Sequence, residues 1–276
     1  MIPPEMSATQ KREQRRERIL SYTNEELTGY YFPTAKLALE EAKRIIDGGK
    51  RIAMWDVDDT LLHSEPWLRA ALNKIIRDRV RDFTPVDLNE VLAAGGRYYQ
   101  VARYQSAAIA MGTTFSALYN EVAQSEEIHA NMMPTQSRQA LQLELCKMGF
   151  EVAGYPTARP QELARVTAGA LKHFGFSKAP VIDVVASSAD PSSAKVNFFK
   201  RLSSEMDGVE IPSPILFIDD HVPTAIALKK HFPGFVEPVV PLIPRNRNEI
   251  HRLETSGVLY GEIPNLAKMI KSRLAL

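Results

Sequence analysis

Apolar and polar positions follow two different spacings along the chain, and these spacings predict its strands and helices. Continuous apolar runs, typical of buried strands, lie at residues 52–55, 150–155, 181–186 and 215–218. Apolar positions three or four residues apart, typical of amphipathic helices, lie near residues 33–46, 163–174 and 192–202. Strands that alternate with helices in this way predict a parallel sheet covered by helices.

The stretch at residues 63–148 departs from this alternation. It has helical spacing, many alanines and few β-branched runs, so we expect a mostly helical insertion between the first two strands. The chain then divides into a polar, basic N-terminal segment at residues 1–20, a core at residues 21–62 and 149–276, and the insertion. The expected fold class is α/β, with a three-layer, Rossmann-like parallel sheet and an inserted, mostly helical cap.

Composition and charge narrow the classes of protein that remain. The chain has 276 residues, 45% hydrophobic and 24% charged, with a formal net charge of +1, so no global field attracts nucleic acid or a membrane. The single cysteine fits a reducing compartment. Because no apolar run has the length of a membrane span or a signal peptide, we expect a cytoplasmic protein, with secretion that uses no cleaved signal left open.

The basic run at residues 11–18 is the one stretch that could bind nucleic acid. Glu13 and Glu17 interrupt its positive charge. We therefore expect a solvated helix or a frayed tail there, and do not expect nucleic acid as a partner.

Acidic side chains follow two of the predicted strands. Asp56 and Asp58 come directly after the first strand, and Asp219 and Asp220 come after the strand at residues 215–218. Ligands of an open parallel sheet bind outside the carboxyl ends of its strands. Crowded carboxylates without nearby arginines in the sequence call for a hard divalent cation, and oxygen ligands suit Mg²⁺.

A hydroxyl and an ammonium group accompany these acids. Thr157 follows the second strand, and we place Lys195 in the first turn of a helix, where its charge opposes the helix dipole. Neither group is needed by a plain metal site. Both are explained if an anion with several oxygens, such as a phosphoryl group, lies beside the cation.

The run Asp56–Thr60, DVDDT, resembles the DxDx[T/V] signature of the haloacid dehalogenase (HAD) superfamily, and its apolar strand precedes it. The resemblance extends over roughly residues 50–235. The second motif, of the TAR type, and the helical insertion are similar to those of acid-phosphatase-like members with a helical cap. The family's second, third and fourth motifs are matched in order by Thr157, Lys195 and the pair Asp219-Asp220.

The resemblance implies a two-step phosphoryl transfer. Asp56 would be the nucleophile that forms an aspartyl-phosphate. Asp58 would protonate the leaving oxygen and then deprotonate the attacking water. Thr157 and Lys195 would bind the phosphoryl oxygens. An acid at the position of Asp58 favours phosphate chemistry over dehalogenation in this family.

The resemblance also implies Mg²⁺ as the cofactor. Its ligands would be the carboxylate of Asp56, the backbone carbonyl of Asp58, and Asp219 or Asp220, with the choice between the last two left open. The cation would screen the charge on the attacking carboxylate.

Two of these assignments have alternatives in the sequence. Ser187 or Ser188 could replace Thr157 as the hydroxyl, but that choice leaves no room for a strand and a helix before Lys195. Lys195 could also be an ordinary surface residue, since helix N-termini accept lysines at modest cost.

Three further residues lie close to the motifs. We expect Asp59 to cap the turn that follows it rather than to perform chemistry. His63 and Arg159 are candidates for contact with the substrate, and for Arg159 a structural ion pair is an equal alternative.

The predicted function is Mg²⁺-dependent hydrolysis of phosphomonoesters, with a phosphorylated small molecule as the partner. A protein phosphatase directed at phosphotyrosine is an alternative, suggested by the tyrosines of the insertion and the basic N-terminal segment. A phosphotransferase or mutase of the same fold is another. A non-catalytic scaffold is the remaining alternative, although a scaffold has no physical need for four crowded acids.

Overall fold

A parallel sheet of six strands forms the centre of the molecule. The computed structural model describes residues 7–184 and 190–275. The strand order is β5-β4-β1-β6-β7-β8, and every neighbouring pair is parallel. The strands of this sheet are β1 (Arg51–Trp55), β4 (Phe150–Thr157), β5 (Val181–Asp183), β6 (Ile215–Ile218), β7 (Val236–Pro241) and β8 (Leu259–Gly261).

Helices follow most of the strands and supply the insertion. In the described part of the chain, short 3₁₀ segments lie at Tyr98–Gln100, Gln161–Leu163 and Pro244–Glu249. None of the helices in the described ranges has the length and apolar character needed to cross a bilayer. The α-helices found there are α1 (Ala8–Ser21), α2 (Ala35–Asp47), α3 (Glu65–Arg79), α4 (Leu88–Ala93), α5 (Ala102–Ala110), α6 (Phe115–Ala123), α7 (Glu126–Asn131), α8 (Arg138–Lys147), α9 (Ala164–His173), α10 (Pro191–Glu205), α11 (Val222–His231), α12 (Ile250–Ser256) and α13 (Ile263–Arg273).

The alternation of side chains along the strands creates the two halves of the core. In β1, Ile52 and Met54 face the side of the sheet covered by α2 and α10. Ala53 and Trp55 face the opposite side, which α9 and α13 cover. Apolar residues on both faces explain why the strands have continuous apolar runs. The predicted three-layer α/β fold is confirmed.

The segment between β1 and β4 is mostly helical, as predicted. It leaves and rejoins the core through a short antiparallel pair, β2 (Leu62–His63) and β3 (Met133–Pro134). Within it α3 packs against α6 and α7. The last helix, α8, packs instead against β4 and α13 and so shares the core of the sheet. The division of the chain at residues 63 and 148 stays a prediction.

From Ser7 onward, the N-terminal segment forms helix α1, and most of the side chains of this helix are exposed, as expected of a solvated helix. A capping box between Ser7 and Gln10 starts the helix. The helix packs against α7 and α9, with Ile19 only 2% exposed.

Candidate active site

The register of β1 and β6 brings two acidic residues side by side. Trp55 pairs with Ile218, the last residue of β6. The next backbone amide, that of Asp56, still donates to the Ile218 carbonyl over 2.9 Å. Asp56 and Asp219 therefore leave adjacent strands at the same edge of the sheet, as the sequence predicted.

Three buried carboxylates meet at this edge. One oxygen from each of Asp56, Asp219 and Asp220 lies within 4.8 Å of the others, and all three residues are at most 5% exposed. Burial raises the pKa of Asp56, and the carboxylates of Asp219 and Asp220 raise it further. The arrangement therefore disfavours the charged form of Asp56 until more positive charge is supplied.

Lys195 supplies part of that charge. Its Nζ donates to Asp56 Oδ1 over 2.7 Å and to Asp219 Oδ2 over 2.9 Å. Burial lowers the pKa of Lys195, but the two carboxylates outweigh burial and hold the pKa above its usual value. Asp190 caps α10 by accepting from the Ser193 amide. Lys195 is the fifth residue of this helix, about one residue beyond the first turn in which it was predicted.

Asp220 belongs to a second ion-pair group that includes Arg245. The hydroxyl of Thr60 donates to Asp220 Oδ1 over 2.9 Å. Arg245 pairs with the other carboxylate oxygen of Asp220 and, over 2.9 Å, with Asp59. Arg245 lies in the segment Pro244–Glu249, far from the motifs in sequence, and sequence analysis missed it.

Asp59 makes a capping contact, but at the start of α3 rather than in the turn directly after it, and its expected absence from the chemistry stays a prediction. Its Oδ1 accepts from the amides of Ser64 and Glu65 over 2.9 and 3.2 Å, at the start of α3. Its φ of 55° is in the left-handed region, which aspartate tolerates better than most residues. The tight turn thus aims consecutive acids in different directions.

Asp58 forms a two-pronged ion pair with Arg159, with distances of 2.7 and 2.9 Å. Burial alone would raise the pKa of Asp58, but Arg159 outweighs burial and lowers the pKa. Of the two roles predicted for Arg159, the structure therefore shows the ion pair. The expectation of acids without balancing arginines was wrong, because folding brings Arg159 and Arg245 to them.

Thr157 is the last residue of β4 and is 1% exposed. Its hydroxyl accepts from the Arg159 amide over 3.2 Å and thereby fixes the turn that carries Arg159. The phosphate-binding role of Thr157 stays a prediction. The rival residues Ser187 and Ser188, and the end of the strand predicted at 181–186, lie outside the described residues.

A cavity of about 500 Å³ opens over these residues, and we call it the acidic cavity. The loop after β1 contributes Asp56 and Asp58 to its walls, and α10 contributes Lys195. The insertion contributes Tyr98, Tyr119, Asn120 and His129. Of these, Tyr119, Asn120 and His129 were not among the predicted site residues. No motif marks these insertion residues, so only tertiary packing identifies them.

His63 does not join the acidic cavity. It is exposed in β2 and lines a different cavity, on the other side of Asp59 and Arg245. Contact with a substrate held at Asp56 is therefore not supported for His63.

His129 is expected to make stability depend on pH. Burial, with help from the charge of Arg159, lowers the pKa of His129 from 6.5 to about 4. Between these values the unfolded chain binds a proton that the folded chain does not, so stability falls as pH drops through this window. Between pH 7 and 4, the free energy of unfolding measured in urea should fall by about 3 kcal/mol more in the wild type than in His129→Asn. An equal fall in the two proteins would contradict the lowered pKa of His129. His251→Asn, at an exposed position, is the control and should behave as the wild type does.

The ion-pair network carries an excess of negative charge. Five carboxylates, those of Asp56, Asp58, Asp59, Asp219 and Asp220, are bonded to three cations, Lys195, Arg159 and Arg245. The excess of two charges matches one divalent cation. The donor set is all oxygen, which fits Mg²⁺. The metal-ligand role of each acid stays a prediction.

Comparisons with known proteins give the fold independently. No protein-family model and no curated protein matches the sequence. Solved structures do match. One is a "phosphonoacetaldehyde hydrolase like protein" from Oleispira antarctica, with TM-score 0.55, 13% identity, and coverage of 82% of this chain and 93% of that chain. Another is a "predicted phosphoglycolate phosphatase" from Haemophilus somnus 129pt, with TM-score 0.51, 16% identity, and coverage of 80% and 98%.

These likenesses extend over about four fifths of the chain. At such identities they concern the fold. The strand order, the acids at the ends of β1 and β6, and the matched structures agree with the motif resemblance. The chain has the fold of the haloacid dehalogenase superfamily.

Proposed function

We propose that the protein is a Mg²⁺-dependent phosphatase that hydrolyses small phosphomonoesters through an aspartyl-phosphate on Asp56. The observation that carries this proposal is the position of Asp56. It is a buried carboxylate at the wall of the acidic cavity, in a network with two uncompensated negative charges and a protonated Lys195 at 2.7 Å. A nucleophilic carboxylate beside concentrated positive charge is suited to attack on phosphorus.

Mg²⁺ would be held by the side chains of Asp56 and of Asp219 or Asp220, together with the backbone carbonyl of Asp58. When bound, it supplies positive charge beside the attacking carboxylate and the transferring phosphoryl group. Lys195 would bind a phosphoryl oxygen while it holds Asp56 and Asp219 in place. The hydroxyl of Thr157, at the end of β4, would bind another oxygen of the phosphoryl group.

Asp58 would carry the proton. Its side chain is 35% exposed while that of Arg159 is 2% exposed, so the acid faces the cavity and the guanidinium lies behind it. Arg159 favours the charged form of Asp58, which suits removal of a proton from water in the second step. The same pairing makes proton donation to the leaving oxygen harder. We therefore expect aryl phosphates, whose leaving groups need less protonation, to react faster than alkyl phosphates.

The size of the acidic cavity favours a small substrate. About 500 Å³ is typical of a site for a small molecule, and residues of the insertion such as Tyr98 and Tyr119 form its outer wall. The matched structures include a predicted phosphoglycolate phosphatase and a phosphonoacetaldehyde hydrolase-like protein, which supports phosphorus chemistry.

The test is release of inorganic phosphate with Mg²⁺ and with EDTA. The panel contains p-nitrophenyl phosphate, alkyl phosphometabolites and a phosphotyrosine peptide. Removal of Mg²⁺ should lower the rate by at least about a hundredfold, and added Mg²⁺ should restore it. Preference for the peptide would favour the protein-phosphatase alternative, and transfer to a second hydroxyl rather than to water would favour a transferase. An undiminished rate in EDTA, or no release from any member, would contradict the proposal.

A further inference from the structure

A second cavity, also of about 500 Å³, lies on the far side of Asp59 and Arg245 from the acidic cavity. Neither Asp56 nor Lys195 lines it. Its walls are largely apolar and come from α3, α4 and the segments before and within α13. The apolar lining includes Pro66, Leu88, Val91, Leu92, Ile243 and Ile263.

Arg138, the first residue of α8, lines this second cavity and is 1% exposed. Its Nε donates to the Thr60 carbonyl over 2.8 Å. Within residues 7–184 and 190–275, its two terminal nitrogens have neither a hydrogen-bond acceptor nor an acidic partner. Burial lowers the pKa of Arg138 to about 10, and the charges of Asp220 and Glu262 offset this effect only in part. A buried guanidinium without an anion is costly unless a ligand supplies one.

A second polar group beside Arg138 also has no partner. The hydroxyl of Thr135 is buried and makes no hydrogen bond to the described residues. Thr135 lines the same cavity and lies three residues before Arg138. Between them, Ser137 has a φ of 63° and makes no side-chain bond to the first turn of α8. The start of this helix therefore presents unused donors to the cavity.

The other arginines and the acids that line this cavity take part in ion pairs. Arg245 pairs with Asp59 and Asp220. Arg247 pairs with Glu262, and Glu65 pairs with Arg69. Arg138 is thus the one lining arginine for which the described residues offer no ion pair, so its terminal nitrogens can bind an acceptor placed in the cavity.

We propose that the second cavity binds a small carboxylic acid with an apolar body. The planar carboxylate would accept from the terminal nitrogens of Arg138 and from the hydroxyl of Thr135, which matches the fork geometry of a guanidinium. The apolar part would lie against Leu88, Val91 and Ile263. A carboxylate fits because the guanidinium and the hydroxyl both lack acceptors, whereas a phosphate dianion would bring a second negative charge into a largely apolar cavity.

The test is calorimetric titration of the full chain with hexanoate and 3-phenylpropionate. Hexanamide is the neutral control. EDTA is present, so that no divalent cation at Asp56 can bind the carboxylates. The wild type should bind at least one of the two acids saturably, and the amide about tenfold more weakly or not at all. This measurement needs no catalytic turnover, so its result is independent of the proposed phosphatase activity.

Two variants locate the binding. Thr135→Val keeps the shape and removes only the unpartnered hydroxyl, so a merely structural Thr135 would leave affinity unchanged, whereas we expect at least about fivefold weaker binding. Leu88→Trp places a large ring at the cavity and should weaken binding at least about tenfold. Leu143→Trp is the matched control, because Leu143 is an exposed helical leucine away from this cavity, and affinity should stay within about twofold.

The proposal is overturned if neither acid binds the wild type at about 10 mM, or if hexanamide binds as well as hexanoate. It is also overturned if Thr135→Val and Leu88→Trp both bind with the affinity of the wild type. Circular dichroism checks that each variant is folded before titration.

Discussion

Replacement of Asp56 by asparagine is expected to lower the rate of phosphate release by at least about a thousandfold. The amide is a poor nucleophile and carries no charge, so neither the covalent step nor the proposed bond to Mg²⁺ survives. Asn is close to Asp in volume, and the position is 5% exposed, so the packing at the end of β1 should be kept. The measurement is steady-state phosphate release from the best substrate of the panel, with circular dichroism to confirm folding.

Asp56→Glu separates the two roles of the carboxylate. It keeps the charge that pairs with Lys195 and attracts Mg²⁺, but it moves the attacking oxygen by one methylene, and misplacement by about 1 Å is enough to lose most of the rate. We expect this variant to bind Mg²⁺ and to be nearly as inactive as Asp56→Asn. Asp82→Asn, at an exposed position of the insertion, is the control and should keep full activity. Wild-type rates in Asp56→Glu or Asp56→Asn would rule out Asp56 as the nucleophile.

The position of Asp56 beside Asp219 could be predicted because it depends on local information. Each acid directly follows an apolar run, and parallel strands of one sheet end at the same edge. No detailed geometry was needed to bring them together. Local reasoning also led us to expect a capping contact from Asp59, because short acids in turns commonly accept from nearby backbone amides. The structure places that contact at the start of α3, which begins further along the chain than the turn.

Arg245 could not be predicted, because the contact it makes depends on tertiary structure. It lies in a polar segment without a motif, and its pairing with Asp59 and Asp220 requires that segment to fold back over the end of β6. The insertion residues Tyr119 and His129 were missed for the same reason, since periodicity indicates a buried face but not what that face meets. Arg138 was overlooked because no motif marks it, and a basic residue gives no sign in the sequence that it is buried.

Lys195→Met is expected to destabilise the protein strongly in EDTA and much less in Mg²⁺. Without the ammonium group, Asp56 and Asp219 are buried carboxylates that have lost their shared cation, a change that typically costs about 3–5 kcal/mol. Mg²⁺ bound at the same carboxylates would replace the missing charge. The free energy of unfolding, measured in urea, should therefore rise more with Mg²⁺ in the variant than in the wild type.

The comparison of Lys195→Met with Lys200→Met tests whether this effect belongs to the site. Lys200 lies in the same helix, α10, but is exposed, so its loss should change stability by less than about 0.5 kcal/mol with or without Mg²⁺. Equal stabilisation by Mg²⁺ in all three proteins would mean that the cation does not bind at the carboxylates that Lys195 joins. If Mg²⁺ raises the free energy of unfolding more in Lys195→Met than in the other two proteins, the cation binds at these carboxylates, and no assay of turnover is needed to show it. The reason is that the lysine and the metal then stabilise the same two carboxylates, so the loss of one costs less when the other is present.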